Sequence, residues 1–233
     1  MHIKRLIQVS AATLAGALAL PTAAHADDPD NIFRIGYAHV GFKLRSSDLT
    51  GPLGTTPAGL RIDAKDLDVL ALSYERRLSP DWAVQFQGGI PPTLTAVGAG
   101  GAEQVGTVAK ARIWFPTLIA LYTFTSVPTI RPYVGVGVTY TFFTDEKVSP
   151  GYTAALQGSS SSMKLKDSWS PYVRLGVGYP IDKNWIVDVE YSTFRIKSTA
   201  TVVTQTPGFG PISRLVDIKD TPRIFGVSLG YRF

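Results

Sequence analysis

The chain ends with the stretch Phe225-Gly226-Val227-Ser228-Leu229-Gly230-Tyr231-Arg232-Phe233. Every second residue is large and apolar, and the residues between them are small or polar. A β-strand produces this period of two, because successive side chains point to opposite faces of the strand. The stretch is therefore predicted to be a strand with one apolar face and one polar face.

The same alternation occurs elsewhere in the chain, most clearly over residues 82–87 and 185–192. From residue 31 onward, no stretch shows the 3.6-residue apolar period of a convincing amphipathic helix. We therefore predict an all-β fold with eight strands. Their approximate bounds are 31–44, 65–78, 82–97, 109–124, 132–144, 167–180, 185–203 and 219–233.

Alternating strands fit either a soluble β-sandwich or a membrane barrel. Aromatic residues at the ends of the apolar faces, such as Trp82, Trp185 and Tyr231, favour the barrel because they suit a membrane boundary. Each predicted strand also exceeds the roughly 9–11 residues that span a bilayer. Short connections alternate with long ones, as in outer-membrane barrels; the long ones lie near 45–64, 98–108, 145–166 and 204–218. We predict an eight-stranded antiparallel transmembrane β-barrel.

The first 26 residues resemble an export signal. Lys4 and Arg5 precede an apolar run from Leu6 to Leu20, and Ala24-His25-Ala26 supplies a small-residue cleavage site. The run is shorter than the roughly 20 residues of a transmembrane helix. We expect residues 1–26 to be a cleaved signal peptide and residues 27–233 to form a barrel in the outer membrane of a Gram-negative bacterium.

Composition excludes several classes of protein. The sequence has no cysteine, so it has neither a disulfide framework nor a thiolate metal site. Its Lys and Arg residues are scattered singly rather than in a stripe, which argues against nucleic-acid binding. Only His39 lies beyond the signal peptide, and neither a Gly-x-Ser-x-Gly elbow nor a metal or cofactor motif occurs. We predict no enzymatic activity, no metal and no cofactor; a lipid-modifying barrel enzyme that uses His39 is the weaker alternative.

Four motifs resemble those of the outer membrane protein W family, which includes alkane-uptake porins. They are Arg-Pro-Tyr-Val-Gly-Val-Gly at 131–137, Tyr-Thr-Phe-Phe at 140–143, Leu-Lys-Asp-Ser-Trp at 165–169 and Gly-Tyr-Arg-Phe at 230–233. The resemblance runs through most of the mature chain. It implies an eight-stranded barrel associated with the passage of small hydrophobic molecules, through an apolar extracellular funnel that opens into the membrane across the barrel wall.

If the apolar faces contact lipid, the polar faces line a lumen that is only wide enough for side chains or one small ligand. The polar residues expected there are Gln85, Gln87, Arg174, Asp188, Glu190, Ser192, Ser228 and Arg232. Opposite charges in so narrow a space are expected to pair, because a lone buried charge is costly. They form either a structural plug or a polar stop that turns the cargo sideways.

Two predicted strands carry apolar residues on both faces. The inward set consists of Leu67, Val69, Ala71, Ile119 and Leu121. An apolar patch in the lumen favours a hydrophobic ligand. The alternative is that these residues only pack a filled core.

Two features carry roles that the resemblance implies. Trp169, in the Lys-Asp-Ser-Trp motif, lines the funnel or belongs to the aromatic belt at the membrane interface. Tyr231 and the terminal Phe233 resemble the signal that the barrel-assembly machinery recognises, and they also suit an interface anchor.

We predict a passive outer-membrane channel for small hydrophobic molecules. It is expected to be a monomer in contact with membrane lipid and lipopolysaccharide. The alternative is a structural or receptor barrel that transports nothing, because its lumen is plugged while its long loops contact partners.

Overall fold

The computed structural model describes residues 31–233, so the predicted signal peptide at 1–26 lies outside the described residues. The strands are β1 (Asn31–Gly41), β2 (Arg45–Ser46), β3 (Leu60–Ala64), β4 (Leu67–Arg77), β5 (Trp82–Gly89), β6 (Thr93–Gly100), β7 (Thr107–Trp114), β8 (Thr117–Thr123), β9 (Arg131–Val148), β10 (Ser160–Leu165), β11 (Ser168–Pro180), β12 (Trp185–Phe194), β13 (Ile196–Thr206), β14 (Gly210–Asp220) and β15 (Arg223–Arg232). A 3-10 turn covers Glu103–Val105, and helix α1 covers Pro150–Ala155. No helix of the described part is long and apolar enough to cross a membrane.

Eight antiparallel strands form a closed barrel in the order β1-β4-β5-β8-β9-β11-β12-β15, which confirms the predicted fold. Pairing of β1 with β15 closes it, with Ile32 opposite Arg232. The backbones of Asn31 and Phe233 bond to each other at 3.0 and 3.3 Å, so the first described residue and the last residue lie at the end with the short turns. Closure leaves the barrel without a free edge strand, which suits lipid because lipid offers no hydrogen-bonding partners.

The two faces of the barrel strands separate as the alternation predicts. On β15 the outward residues Phe225, Val227, Leu229 and Tyr231 are exposed, whereas Ile224, Gly226 and Gly230 on the other face are buried. Near the end with the short turns, outward aromatic rings pair across strands. Trp82 lies 5.0 Å from Tyr122, and Trp185 lies 5.0 Å from Tyr231, between ring centroids. These rings form a girdle at the periplasmic edge of an apolar outer band.

About half of the residues in the predicted long loops lie in strands, most of all over 204–218, and this corrects the predicted bounds. β13 and β14 pair over their whole length above β12 and β15, and β10 and β2 flank them. β3, β6 and β7 join the upper part of β9. The turn from β13 to β14 uses Gly208 and Gly210 at φ +79° and +77°, a conformation that glycine adopts without strain. The barrel wall therefore continues well beyond the membrane as an extracellular extension.

Candidate functional site: an apolar cavity above a polar plug

The extracellular extension surrounds an apolar cavity with about 60 Å³ of free volume. Its lining is almost wholly apolar, which suits a hydrophobic ligand. Strands β13 and β14 supply a regular wall, because Ala200, Val202, Val216 and Ile218 point inward and alternate with residues that point outward. Further apolar lining comes from Leu44, Ile62, Leu94, Val108, Ile113, Phe143 and Leu165.

Four polar residues border this upper cavity: Lys110, Tyr152, Ser198 and Asp220. Burial raises the pKa of Tyr152 to about 12, so its phenol is neutral at physiological pH. Burial also raises the pKa of Asp220, whose Oδ1 accepts a hydrogen bond from the Lys43 backbone N–H at 3.0 Å. The apolar walls, rather than these groups, therefore dominate the contact area offered to a ligand.

A layer of aromatic rings forms the floor of the upper cavity. The ring of Phe194 lies 6.3 Å from Phe115 and 6.2 Å from Tyr172, between centroids. Ile113 and Ile196 pack in the same buried cluster. The hydroxyl of Tyr172 accepts hydrogen bonds from the layer below, so this residue joins the apolar cavity to a polar region.

Arg174 on β11 is the centre of that polar region. Its side chain spans the lumen to β5, where Nη1 donates to Gln85 Oε1 at 2.6 Å and Nη2 donates to Gln87. Nη1 also lies 3.0 Å from Glu190 Oε2, and Nη2 donates to Tyr172 Oη at 2.7 Å. Since β11 and β5 are three strands apart around the barrel, these bonds close the bore. We call this set of residues the polar plug.

Two further buried pairs lie beside the plug. Arg34 Nη1 donates to Glu75 Oε2 at 2.6 Å, and Tyr133 Oη donates to Asp188 Oδ1 at 2.6 Å. The Arg34–Glu75 and Arg174–Glu190 pairs bring opposite charges into contact, which lowers the cost of burying them. Ser192, which was also predicted to face the lumen, is only 1% exposed.

Below these pairs a second cavity, with about 50 Å³ of free volume, opens at the periplasmic end. It is lined by basic residues on three strands, Arg77, Arg131 and Arg232, together with both buried pairs. Arg232 had been expected in the lumen, and its side chain borders this lower cavity. Ser228 lines a small separate space with Arg34 and Glu190. The interior is thus divided into an apolar upper part and a charged lower part.

The residues predicted to form an apolar lumen all point inward, but at different heights. Leu67, Val69, Ile119 and Leu121 belong to the same buried cluster as the aromatic floor, with Ile119 at 0% exposure. Leu121 also borders the lower cavity. Ala71 is partly buried, opposite Gly89 on β5. None of the five borders the upper cavity.

The remaining singled-out residues lie outside the lumen. Trp169 is 72% exposed on the outer face and stacks on Tyr140 at 4.6 Å, so it does not line the upper cavity. Tyr231 and Phe233 are exposed at the periplasmic rim with their rings 6.4 Å apart. His39 faces outward and its Nδ1 lies 2.9 Å from Asp68 Oδ1.

The barrel wall is weakly paired beside the aromatic floor. The β5–β8 ladder ends at Gln87–Thr117, and the β6–β7 ladder begins at Thr93–Arg112. Over the described residues between them, 88–92 and 113–116, a single backbone bond crosses the gap, from Ile113 N–H to Pro92 C=O at 3.1 Å. Proline at 91, 92 and 116 removes the N–H groups that a ladder needs. We call this gap the wall break.

Sequence reasoning missed part of the wall of the upper cavity and several members of the polar region. Arg34, Glu75 and Tyr133 all occupy inward positions of predicted strands, so the parity that located Asp188 also locates them. Only part of the cavity wall lies in predicted loops: β14 up to residue 218 was expected to be a loop, whereas β13 up to residue 203 falls within the predicted strand 185–203. Alternation of Ile212, Val216 and Ile218 with polar residues is the signal that identifies β14 as a strand.

The fold and the divided interior define an eight-stranded barrel of the Gram-negative outer membrane with an apolar cavity at its extracellular end. The OmpW family model matches residues 28–233. The chain therefore belongs to the OmpW family.

Individual relatives agree with this assignment. The dibenzothiophene metabolism operon protein PahQ of Pseudomonas aeruginosa is 25% identical over 220 residues, which are 93% of each chain. The outer membrane protein AlkL of Ectopseudomonas oleovorans is 30% identical over 159 residues, 67% of this chain and 62% of AlkL. The crystal structure of the outer membrane protein OprG from Pseudomonas aeruginosa superimposes with a TM-score of 0.77 at 26% identity, covering 88% of this chain and 96% of OprG.

Proposed function

We propose that this protein is a passive channel for the uptake of small hydrophobic molecules across the outer membrane. The observation that carries the proposal is the cavity with almost wholly apolar walls at the extracellular end, above a lumen that is closed by charged pairs. An apolar molecule gains free energy on leaving water for such walls, at roughly 25 cal/mol per Å² of buried surface. The name of the relative PahQ, which refers to dibenzothiophene metabolism, is in keeping with apolar cargo.

The route runs from the upper cavity into the outer leaflet through the wall break. Phe115 and Ile113 lie beside the break on the cavity side, and Ile90 is 60% exposed on the lipid side. Ile90 stands about 20 Å above Trp82, taking 3.3 Å per residue and a tilt near 40°. This height lies within the hydrocarbon band, so cargo that leaves there enters lipid without crossing the polar plug.

Catalysis has no part in the proposal. Among the described hydrogen bonds of His39, the only side-chain partner is Asp68, and both residues lie on the outer face of the barrel. The gradient of the cargo drives net movement, so neither a cofactor nor a metal is required. The barrel acts as a monomer in membrane lipid, and the barrel-assembly machinery inserts it by recognising Tyr231 and Phe233.

A structural or receptor barrel that transports nothing is the second candidate. It is favoured by the polar plug, since Arg174 bridges opposite walls of the lumen and stabilises a closed bore. In this alternative the upper cavity is empty of cargo and the extension serves only as a binding surface. Uptake measurements distinguish the two functions.

The test compares entry of a small apolar tracer into cells that have the barrel and cells that lack it. Val216→Asp places a charge in the upper cavity, while Leu215→Asp places one on the outer face of the same strand, where Leu215 is 46% exposed. Both sites lie above the membrane, so both variants are expected to insert. Loss of one valine contact costs about 1 kcal/mol, or roughly fivefold in cavity occupancy.

We expect the barrel to raise tracer entry, Val216→Asp to lower it about fivefold, and Leu215→Asp to leave it unchanged. Heat-modifiable migration on gels verifies that each variant is folded. If folded barrel gives no rise in entry, the structural or receptor function replaces transport. An equal loss in both variants shows that the upper cavity is not the path.

A further inference from the structure

Basic residues that are scattered in the sequence meet on one outer face of the barrel. Lys197 on β13 is directly opposite Lys219 on β14, and Lys219 is directly opposite Arg45 on β2. All three side chains are exposed. Their strand neighbours Ser198 and Ile218 point into the upper cavity, so by alternation the three basic side chains point to the exterior. They form a row of three positive charges across adjacent strands.

Two further arginines extend the row downward. Arg195 precedes Lys197 by two residues on the same face, and Arg223 on β15 is opposite both Thr193 and Gly41. Both arginines are exposed. Together with Lys197, Lys219 and Arg45 they make a cluster of five cations, which we call the basic patch.

Among the described residues, the basic patch has no carboxylate counter-ion. Within residues 31–233 no carboxylate lies within 4.0 Å of the charged end of any of its five members. The acid on the same outward face of β14, Asp217, accepts a hydrogen bond from Thr199 at 2.7 Å instead. Like charges directly opposite each other on neighbouring strands are unfavourable. An anion from outside the chain would relieve this repulsion.

The height of the patch identifies the anion. On β12 and β13 the outward residues read upward as Trp185, Val187, Val189, Tyr191, Thr193, Arg195 and Lys197. Arg195 stands about 25 Å above Trp185, taking 3.3 Å per residue and a tilt near 40°. An outer-membrane barrel has an apolar band about 25 Å tall, so the patch begins where that band ends. The groups at this level are the headgroups of the outer leaflet.

We propose that the basic patch binds the phosphate groups of lipopolysaccharide. Charged amines and guanidinium groups bind phosphate by charge-assisted hydrogen bonds, and arginine can do so with two bonds at once. The acyl chains of the same molecule would lie along the apolar band below, against Tyr191 and Phe225, whose rings are 5.0 Å apart. Asp66 and Asp68, near His39 on the next strand, limit the patch on its β4 side.

The test measures binding of purified lipid A to the folded barrel in detergent. The variant is Arg45→Gln/Lys197→Gln/Lys219→Gln, and the matched control is Lys65→Gln/Lys147→Gln/Lys183→Gln, which removes three exposed cations elsewhere. Lipid A is offered with both phosphates and in a dephosphorylated form. Bound lipid is counted per barrel after gel filtration, and inorganic phosphate is added as a competitor.

We expect the unaltered barrel and the control to bind diphosphoryl lipid A equally, and the variant at least tenfold more weakly, since each basic residue near an anionic surface contributes about fivefold. Dephosphorylated lipid A should bind all three barrels as weakly as the variant binds the phosphorylated form. The proposal is overturned if the variant retains full binding, or if phosphate removal has no effect. Displacement by millimolar inorganic phosphate overturns it in favour of a free-phosphate site.

Discussion

The contact between Arg174 and Glu190 gives a sharp prediction for the stability of the barrel. The Arg174 side chain is 2% exposed and that of Glu190 is 14% exposed, with 3.0 Å between Nη1 and Oε2. Arg174→Met removes the cation and leaves the Glu190 carboxylate in the lumen without it. Breaking a buried pair in this way costs about 3–5 kcal/mol, because the remaining charge is no longer compensated.

A second substitution separates the lost pairing from the lost packing. Glu190→Gln removes the stranded charge, and replacing both members of a buried pair is often close to neutral. We expect Arg174→Met/Glu190→Gln to recover at least 2 kcal/mol relative to Arg174→Met. The residual loss comes from the bonds of Arg174 to Gln85 and Tyr172, at 2.6 and 2.7 Å.

Urea unfolding in detergent, followed by tryptophan fluorescence, measures these free energies. The four tryptophans are suitable reporters, because none of them is a member of the plug. A loss below 1 kcal/mol for Arg174→Met would refute the electrostatic account. The account would also be refuted if adding Glu190→Gln to Arg174→Met lowered stability further instead of restoring it. Because the proposed route bypasses the plug, tracer uptake by the folded double variant should stay within about twofold of the unaltered barrel.

Two further predictions concern the wall and the periplasmic turn. A Cβ on Gly137 would lie 2.1 Å from the Leu118 carbonyl oxygen, whereas one on Gly135 would meet only side-chain atoms within 3.4 Å. Gly137→Ala should therefore lower the free energy of unfolding in urea by about 1–3 kcal/mol, and Gly135→Ala by clearly less. Equal losses in the two variants would contradict this reasoning. In the turn before β12, backbone N–H groups of Trp185 and Asn184 hold the pKa of Asp182 below its ordinary value of 3.8. The ionised Asp182 carboxylate stabilises the fold above about pH 4, and this stabilisation is lost as the pH falls through the lowered pKa. Asp182→Asn should therefore weaken the dependence of stability on pH at acid pH. An unchanged dependence would exclude this carboxylate as its source.

The transmembrane part could be predicted from the sequence because lipid imposes a strict rule on it. A strand with lipid outside and polar groups inside must alternate, so parity alone places Gln85, Asp188 and Ile119 in the interior. Closure then requires an even set of paired strands, and the short turns fix which end is periplasmic. The strand count follows from the same constraints.

Much of the extracellular extension, above all β14, escaped prediction for a related reason. Outside the membrane no lipid demands apolar residues on the exterior, so β14 carries Ser213 and Asp217 where a membrane strand would carry aliphatic groups. The Pro, Gly and Ser residues over 207–213 also fit a loop. The pairing of Arg174 with Glu190 was beyond sequence reasoning too, because parity gives the face of a residue and not its partner across the lumen.

The strand order also relates the two proposed sites to each other. The wall break lies between β5 and β8, while the basic patch lies above β12, β15 and β1. In a ring of eight strands these positions are on opposite sides of the barrel. Lipopolysaccharide held at the patch would therefore anchor one side and leave the side of the wall break free.

The polar headgroup layer is the part of the membrane that resists an apolar molecule, so a cavity that crosses only this layer would be sufficient for uptake. The lower lumen can then stay closed by buried charges without opposing transport.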